Sequence, residues 1–279
     1  MTITCGKFFS RGLFGALLVA LVPSVWALTP IEVAKLTASD ATNYDHFGGS
    51  VAVDGDTALI GAHGDDDNGI QTGSAYIFTR NAGVWTEQAK LTASDAASFD
   101  TFGFSVALVG DTALIGASED DVSGPWCGSA YVLSRIAGVW SEEAKLTASD
   151  AATGDIFGWS VAVDGDTALI GAYGYDHNGI ETGSAYVFTR NAGVWTEQAK
   201  LTASDGASGD AFGKNVAVDG DTALIGAPRD GDNGEFSGSA YVFTRNAGGG
   251  TEQAKLSASD AARGDAFGVS VAVNGDRAL

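Results

Sequence analysis

A chain of 279 residues with a formal net charge of −20 argues against nucleic acid and against anionic membrane surfaces as partners, because both recruit basic patches. Its 45% hydrophobic content, with only 18% charged residues, is enough for a sizeable core. With 39 glycines and only 4 prolines, it suits many tight turns between short strands.

In chain order, residues 1–27 read as a secretory signal peptide. A basic start (Lys7, Arg11) precedes an apolar run from Leu13 to Ala27, which ends on the small-residue pattern Val25-x-Ala27. The run contains Pro23 and is short for a membrane span. Cleavage after Ala27 leaves residues 28–279 as one domain, secreted to a periplasmic or extracellular location. It also leaves one cysteine, Cys127, whose counterparts in the repeats below are Thr72, Thr182 and Ser237; a small filler is expected there.

From residue 36 the sequence repeats every 55 residues. Leu36, Leu91, Leu146, Leu201 and Leu256 each open a copy of L-[TS]-A-S-D, and Phe-Gly recurs at Phe47, Phe102, Phe157, Phe212 and Phe267. The repeats run 36–90, 91–145, 146–200 and 201–255, with a partial copy over 256–279. Within one repeat, "SVAV", "TALIGA", "GSAYIFTR" and "VWTEQAKL" are rich in strand-forming residues and bounded by Gly, Asp or Asn. Asp-Gly and Asn-Ala-Gly mark hairpin turns, so each repeat is expected to be a four-stranded antiparallel meander. Apolar residues fall on both faces, as with Val51 and Val53 against Ala52, so each meander must lie between two others. Radial stacking of four-stranded units is a β-propeller, and the fold class is all-β. Helical periodicity is missing, which excludes a helical solenoid, and the Trp-Asp signature of WD40 blades is absent.

The Phe-Gly and Gly-Ala-Pro pair resembles the FG-GAP repeat of integrin α-subunit heads and related bacterial secreted proteins. Gly-Ala occurs at Gly61-Ala62, Gly116-Ala117, Gly171-Ala172 and Gly226-Ala227, followed by proline only at Pro228. The resemblance implies a β-propeller used for binding rather than catalysis. Integrin-type repeats also carry an Asp-rich calcium loop between these two motifs. Here that place holds only "VDGDTA", and two carboxylates in a tight turn fall short of the six to eight oxygens calcium takes. A seven-bladed ring at this repeat length would need roughly 385 residues. "IEVAKL" (31–36) matches a fourth strand, so ring closure onto the last blade is expected, with either an incomplete gene product or a strained five-bladed ring. Blade four has Gly250 where the others carry Trp85, Trp140 and Trp195.

In a propeller the loops joining strand four to the next strand one share a face with those joining strands two and three. Most of the 35 acidic residues fall in those loops, with Arg229 and Arg263 the clear bases, so one acidic face is expected. A solvated rim is one reading of it. The other is calcium in the loops "GDDDNG" and "RDGDNG", with Asp65, Asp66, Asp67, Asp230 and Asp232 as candidate oxygen ligands. The same loops vary most between copies, which points to Trp126, Phe236 and Arg229 as candidate ligand-binding residues.

His46, His63 and His177 occupy different repeat slots, and no nucleophile-elbow, zincin or phosphate-loop motif is present. Arg263-Gly264-Asp265 fills a slot that reads Asn43-Tyr44-Asp45 and Ser98-Phe99-Asp100 elsewhere, so its Asp belongs to the repeat. The expected function is non-enzymatic binding or adhesion to a protein or carbohydrate ligand through the acidic face. The alternative is a structural repeat array within a larger surface protein, and a hydrolase propeller stands behind both.

Overall fold

The computed structural model describes residues 32–174, 182–246, 249–275 and 277–279. The signal-peptide reading, and His177 among the three histidines, fall outside them. Leu36–Leu279 form one compact unit, built of stacked sheets.

Each full repeat is one four-stranded antiparallel sheet whose strands pair in sequence order. The first blade is β1 (Val51–Asp54), β2 (Thr57–Ala62), β3 (Ser74–Asn81) and β4 (Val84–Leu91). The second is β5 (Ser105–Val109), β6 (Thr112–Ala117), β7 (Ser129–Ile136) and β8 (Val139–Leu146). The third is β9 (Phe157–Asp164), β10 (Thr167–Ala172), β11 (Ser184–Asn191) and β12 (Val194–Leu201), and the fourth is β13 (Asn215–Asp219), β14 (Thr222–Ala227), β15 (Ser239–Asn246) and β16 (Gly249–Leu256). The partial repeat adds a two-stranded ladder, β17 (Val273–Asn274) with β18 (Arg277–Ala278). The first strands β1, β5, β9 and β13 lie beside one another on the inner side of the stack.

The hairpins form for local reasons. Asp54 pairs with Thr57 across Gly55, which sits at φ +55°. Ala82 and Gly83 are both left-handed, at φ +49° and +83°, the geometry a two-residue turn between twisted strands requires. In each full blade the pairing of strands three and four shifts at one bulge, between Ile77 and Phe78 in the first.

Blades pack face to face. Leu59, Ala75, Ile77 and Leu91 of the first meet Phe102, Ile115, Tyr131 and Trp140 of the second in one buried cluster, and the same arrangement recurs at the next interface. The repeat motifs build these interfaces. The Phe102 amide donates to the Thr72 carbonyl of the preceding blade at 3.0 Å, and the Phe102 ring is fully buried, edge-on to Tyr131. Gly103 runs so close to the preceding blade that a Cβ on Gly61 would lie 2.0 Å from its carbonyl oxygen. Gly116 with Gly158, Gly171 with Gly213, and Gly226 with Gly268 repeat that contact. At the periphery the L-[TS]-A-S-D segment does the same work with side chains. The Ser94 amide and hydroxyl both donate to the Glu142 carboxylate on the fourth strand of the blade this segment leads into, at 3.0 and 2.9 Å, and Ser39, Ser149 and Ser204 do likewise to Glu87, Glu197 and Glu252.

Residues 32–38 carry no strand, so the expected fourth strand from "IEVAKL" is not formed there. A strand needs a sheet edge to pair with, and these residues pair with none. Val51 and Val53 on the first blade are 65% and 68% exposed, whereas Val106, at the place of Val51 in the second blade, is buried. Cys127 is fully buried. Its thiol donates to the Asp120 carbonyl at 3.3 Å, as the Thr72 hydroxyl does to Asp65 and the Ser237 hydroxyl to Asp230. Its role is that of a small polar filler.

The seam glycines and the turn glycines are expected to respond differently to one added methyl. Gly116→Ala drives a Cβ into the Gly158 carbonyl and should cost about 3 kcal/mol or more. Gly110→Ala, left-handed at φ +54° but facing open space, should cost about 1 kcal/mol. Denaturant unfolding of the two variants measures the difference.

Candidate functional site

The loops that precede the first strand and those that follow the second meet at one end of the blades, as the acidic-face reading requires. In the first blade the Gly64 amide donates to the Asp45 carbonyl at 3.0 Å. Two constellations occupy this end.

The outer one is a set of ion-paired clusters. Asp40 comes from the L-[TS]-A-S-D segment, Asp65 and Asp67 from the loop after β2, Tyr76 from β3 and Lys90 from β4. Lys90 Nζ lies 2.8, 2.8 and 2.6 Å from Asp40, Asp65 and Asp67, and the Tyr76 hydroxyl donates to Asp40 and Asp65 at 2.8 and 2.9 Å. Asp205, Asp230, Asp232, Tyr241 and Lys255 repeat the arrangement in the fourth blade. Burial pushes the Asp65 and Asp230 carboxyls up, but the lysine ammonium and the loop and tyrosine donors outweigh it, and both are held below the usual carboxylate range. Burial likewise pushes the Tyr76 hydroxyl far up, and the two carboxylates it serves add to this.

The carboxylate oxygens of Asp40, Asp65 and Asp67 lie within 4.8 Å of one another, as do those of Asp205, Asp230 and Asp232, and groups so placed could hold a metal ion. In both, a lysine ammonium already stands against all three, and calcium would need further oxygens besides. As the side chains stand, the donor set fits lysine rather than calcium. Of the sequence candidates, Asp65, Asp67, Asp230 and Asp232 are brought together. Asp66 is not, because its carboxylate accepts the Gln71 amide at 2.7 Å. Asp40 and Asp205 complete the groups, and sequence reasoning misses them because each lies 25 and 27 residues before its two partners. It misses the lysines too: Lys90, Lys145, Lys200 and Lys255 join this rim, so Arg229 and Arg263 are not its only bases. In sequence each lysine reads as an ordinary solvent-facing strand residue.

The inner constellation is a ladder of rings. His46 stacks on His63 at 4.8 Å with an interplanar angle of 6°. His63 meets Phe104 at 5.4 Å, Phe104 meets Trp159 at 4.4 Å, and Trp159 meets Tyr173 at 4.7 Å. The Lys214 ammonium closes the row 5.3 Å over the Tyr173 ring. The row crosses four consecutive blades. Burial, helped by the neighbouring His46, pushes the His63 imidazole below its usual pKa. Phe104, Trp159 and Lys214 share one slot, directly after Phe-Gly, and His63 and Tyr173 share another, directly after Gly-Ala. The slots could have been found by asking which columns of the repeat collect rings.

Trp126 and Phe236 stand on the outer loops of the same end, 58% and 47% exposed, with left-handed backbones at φ +56° and +58°. Their carbonyls accept the Ile156 and Ala266 amides of the next blade, so the loops are held while the rings stay open to solvent. Arg229 follows Pro228 at this end, and its amide donates to the Asp210 carbonyl. Tyr44 and Phe99 are also exposed here and left-handed, in a slot where later copies have Gly154, Gly209 and Gly264. The opposite end carries Arg–Asp pairs instead, such as Arg80 with Asp56 and Arg135 with Asp111.

Four-stranded blades stacked by recurrent glycine contacts, with their first strands innermost, define the chain as a β-propeller-like repeat protein. The FG-GAP repeat family matches residues 31–78, 85–133, 140–188, 195–243 and 251–279, and the chain belongs to that family. No curated protein matches the chain.

Charge balance at the outer clusters is open to measurement. Lys145 Nζ lies 2.7 Å from both Asp95 and Asp120, so Lys145→Met should cost about 3 kcal/mol, by leaving the buried Asp120 without its cation. Asp100 behaves oppositely. Burial raises its pKa from 3.8 to about 6, against the Ala97 amide and with help from the Asp120 charge. A raised carboxyl favours the native state at low pH, and that contribution is lost as pH rises through about 6. Asp100→Asn can still accept the Ala97 amide, so it should stabilise by about 1–3 kcal/mol near pH 8, a gain that vanishes below about pH 4. Unfolding curves across pH measure both effects.

Proposed function

We propose that this protein is a secreted, non-catalytic binding module whose acidic face engages a protein partner carrying basic and apolar side chains, as in adhesion. The observation that carries the reading is the ring ladder from His46 to Tyr173. A row of aromatic rings, exposed at His46 and half-buried from His63 to Tyr173, at the end of a rigid blade stack offers contact area at low entropic cost, and its ring faces attract cations. The exposed rings of Tyr44, Phe99, Trp126 and Phe236 extend the patch outward, and the chain's charge of −20 favours a cationic partner. Tyr44 and Phe99 keep a strained left-handed backbone where sibling blades use glycine, the kind of cost that collects at binding sites. No catalytic motif competes for the same face.

Arrays of basic peptides and of glycans, probed with the full-length protein, test the reading. Peptides that combine Arg or Lys with apolar residues should be retained, less so at high salt, and Trp159→Ala should weaken retention at least about tenfold. Retention of glycans alone would replace the protein partner with a carbohydrate. Retention of neither would leave a structural repeat array. Export is tested separately: expressed with its leader, the mature protein should begin at Leu28.

A further inference from the structure

A partly open cavity of about 340 Å³ lies between the third and fourth blades, lined by Leu169, Val187, Ala199 and Leu201 on one side and Ala223 and Phe243 on the other. It lies beside Gly250, at the point where the repeat loses its tryptophan. In the first three blades that tryptophan pairs across the hairpin with an arginine, Arg80 with Trp85, Arg135 with Trp140 and Arg190 with Trp195, and the guanidinium sits 5.2–5.4 Å over the ring. In the fourth blade Arg245 pairs with Gly250 and keeps its other partners, Asp221 at 2.8 Å and Thr167 at 2.9 Å. Arg245 therefore stands over the cavity in the orientation its siblings use to cover an indole.

The walls record the loss. Ile77 and Val132, which face Trp140 and Trp195 across their interfaces, are fully buried, whereas Val187 at the same slot is only partly buried. The tip of Leu201 lies 2.4 Å from where a Cβ on Gly250 would sit. That tip is the flexible end of a side chain, and the equivalent Leu146 coexists with Trp195 in one buried cluster. The cavity lies within the roughly 300–1,000 Å³ of small-ligand pockets, and apolar core cavities of only ~150 Å³ already take up benzene.

We propose that this cavity is a binding site for a planar, uncharged aromatic ring of indole size, held between the Leu169–Val187–Leu201 wall and the guanidinium of Arg245. The sibling interfaces specify the occupant, since both other copies of this inter-blade socket are filled by an indole, that of Trp140 and that of Trp195. They also specify its selectivity. The ring nitrogens of Trp140 and Trp195 are buried without a hydrogen-bond partner, so the socket reads ring shape rather than the N–H group. Naphthalene is expected to compete with indole on at least equal terms.

Titration of 5-fluoroindole into the full-length protein, followed by fluorine NMR, tests the site. The expected result is saturable binding at one site per chain, displaced by indole and by naphthalene. Gly250→Trp refills the socket and should weaken binding at least about tenfold while raising the melting temperature. Should that variant fail to fold, Val187→Phe blocks the same space from the opposite wall and should have the same effect on binding. Trp195→Gly copies the lesion into the third blade and should raise the stoichiometry to two. Absence of saturable binding in the wild-type protein, or binding unchanged by both filling variants, would overturn the assignment.

Discussion

The fold depends on a backbone-to-backbone contact that only glycine permits. Where Gly61 meets Gly103, and Gly116 meets Gly158, two blades approach until a single methyl would lie 2.0 Å from a carbonyl oxygen. That approach lets the Phe102 and Phe157 amides reach the carbonyls of Thr72 and Cys127 in the preceding blade, and it seats each phenyl ring in a fully buried slot. Each buried ring contributes about 2 kcal/mol through area alone. A single blade has apolar residues on both faces and no means of covering them, so stability comes from neighbours and accumulates along the stack.

The peripheral contacts depend on this approach. Once the Phe-Gly segment is fixed, the L-[TS]-A-S-D segment ahead of it lies against the fourth strand of its own blade. Its serine meets a glutamate there, and its aspartate meets the tyrosine and lysine of the same sheet. The acidic face is therefore built from clusters tied together by a lysine, three carboxylates to one ammonium in the first and fourth blades, rather than from bare carboxylates. The fourth strand supplies that lysine, the same strand that supplies the indole of the first three blades. Loss of the indole at Gly250 opens a cavity without unseating the blade, because the glycine contact and the serine–glutamate pair beneath it are intact.

Much of this is legible in the sequence. Strand positions, hairpin turns, blade order and the shared acidic face all come from a 55-residue period read with turn chemistry, and the missing tryptophan is visible as a gap in one column. The partnerships are less legible. Ser94 and Glu142 are 48 residues apart, and nothing local tells a pairing serine from a solvated one. Lys90 looks like any alternating strand residue until Asp40 and Asp65 arrive from two other loops. The ring ladder is hidden because its members share columns rather than identities: Gly49, Phe104, Trp159 and Lys214 succeed Phe-Gly in turn, and only the fold shows that side chains from these slots form a row. Fourth-strand pairing by residues 32–36 is the expectation that fails, because sequence similarity to a strand cannot supply the sheet edge that a strand needs.

The most direct test of the central claim is amide hydrogen exchange on the Gly116→Ala variant, resolved by residue. Because the glycine contact joins two blades, slowed exchange should be lost on both sides of the altered seam, in β6 of the second blade and also at Phe157 and along β9 of the third. Loss confined to β5–β8, with Phe157 and β9 still protected, would mean that each blade holds itself together and that the glycine contacts are incidental.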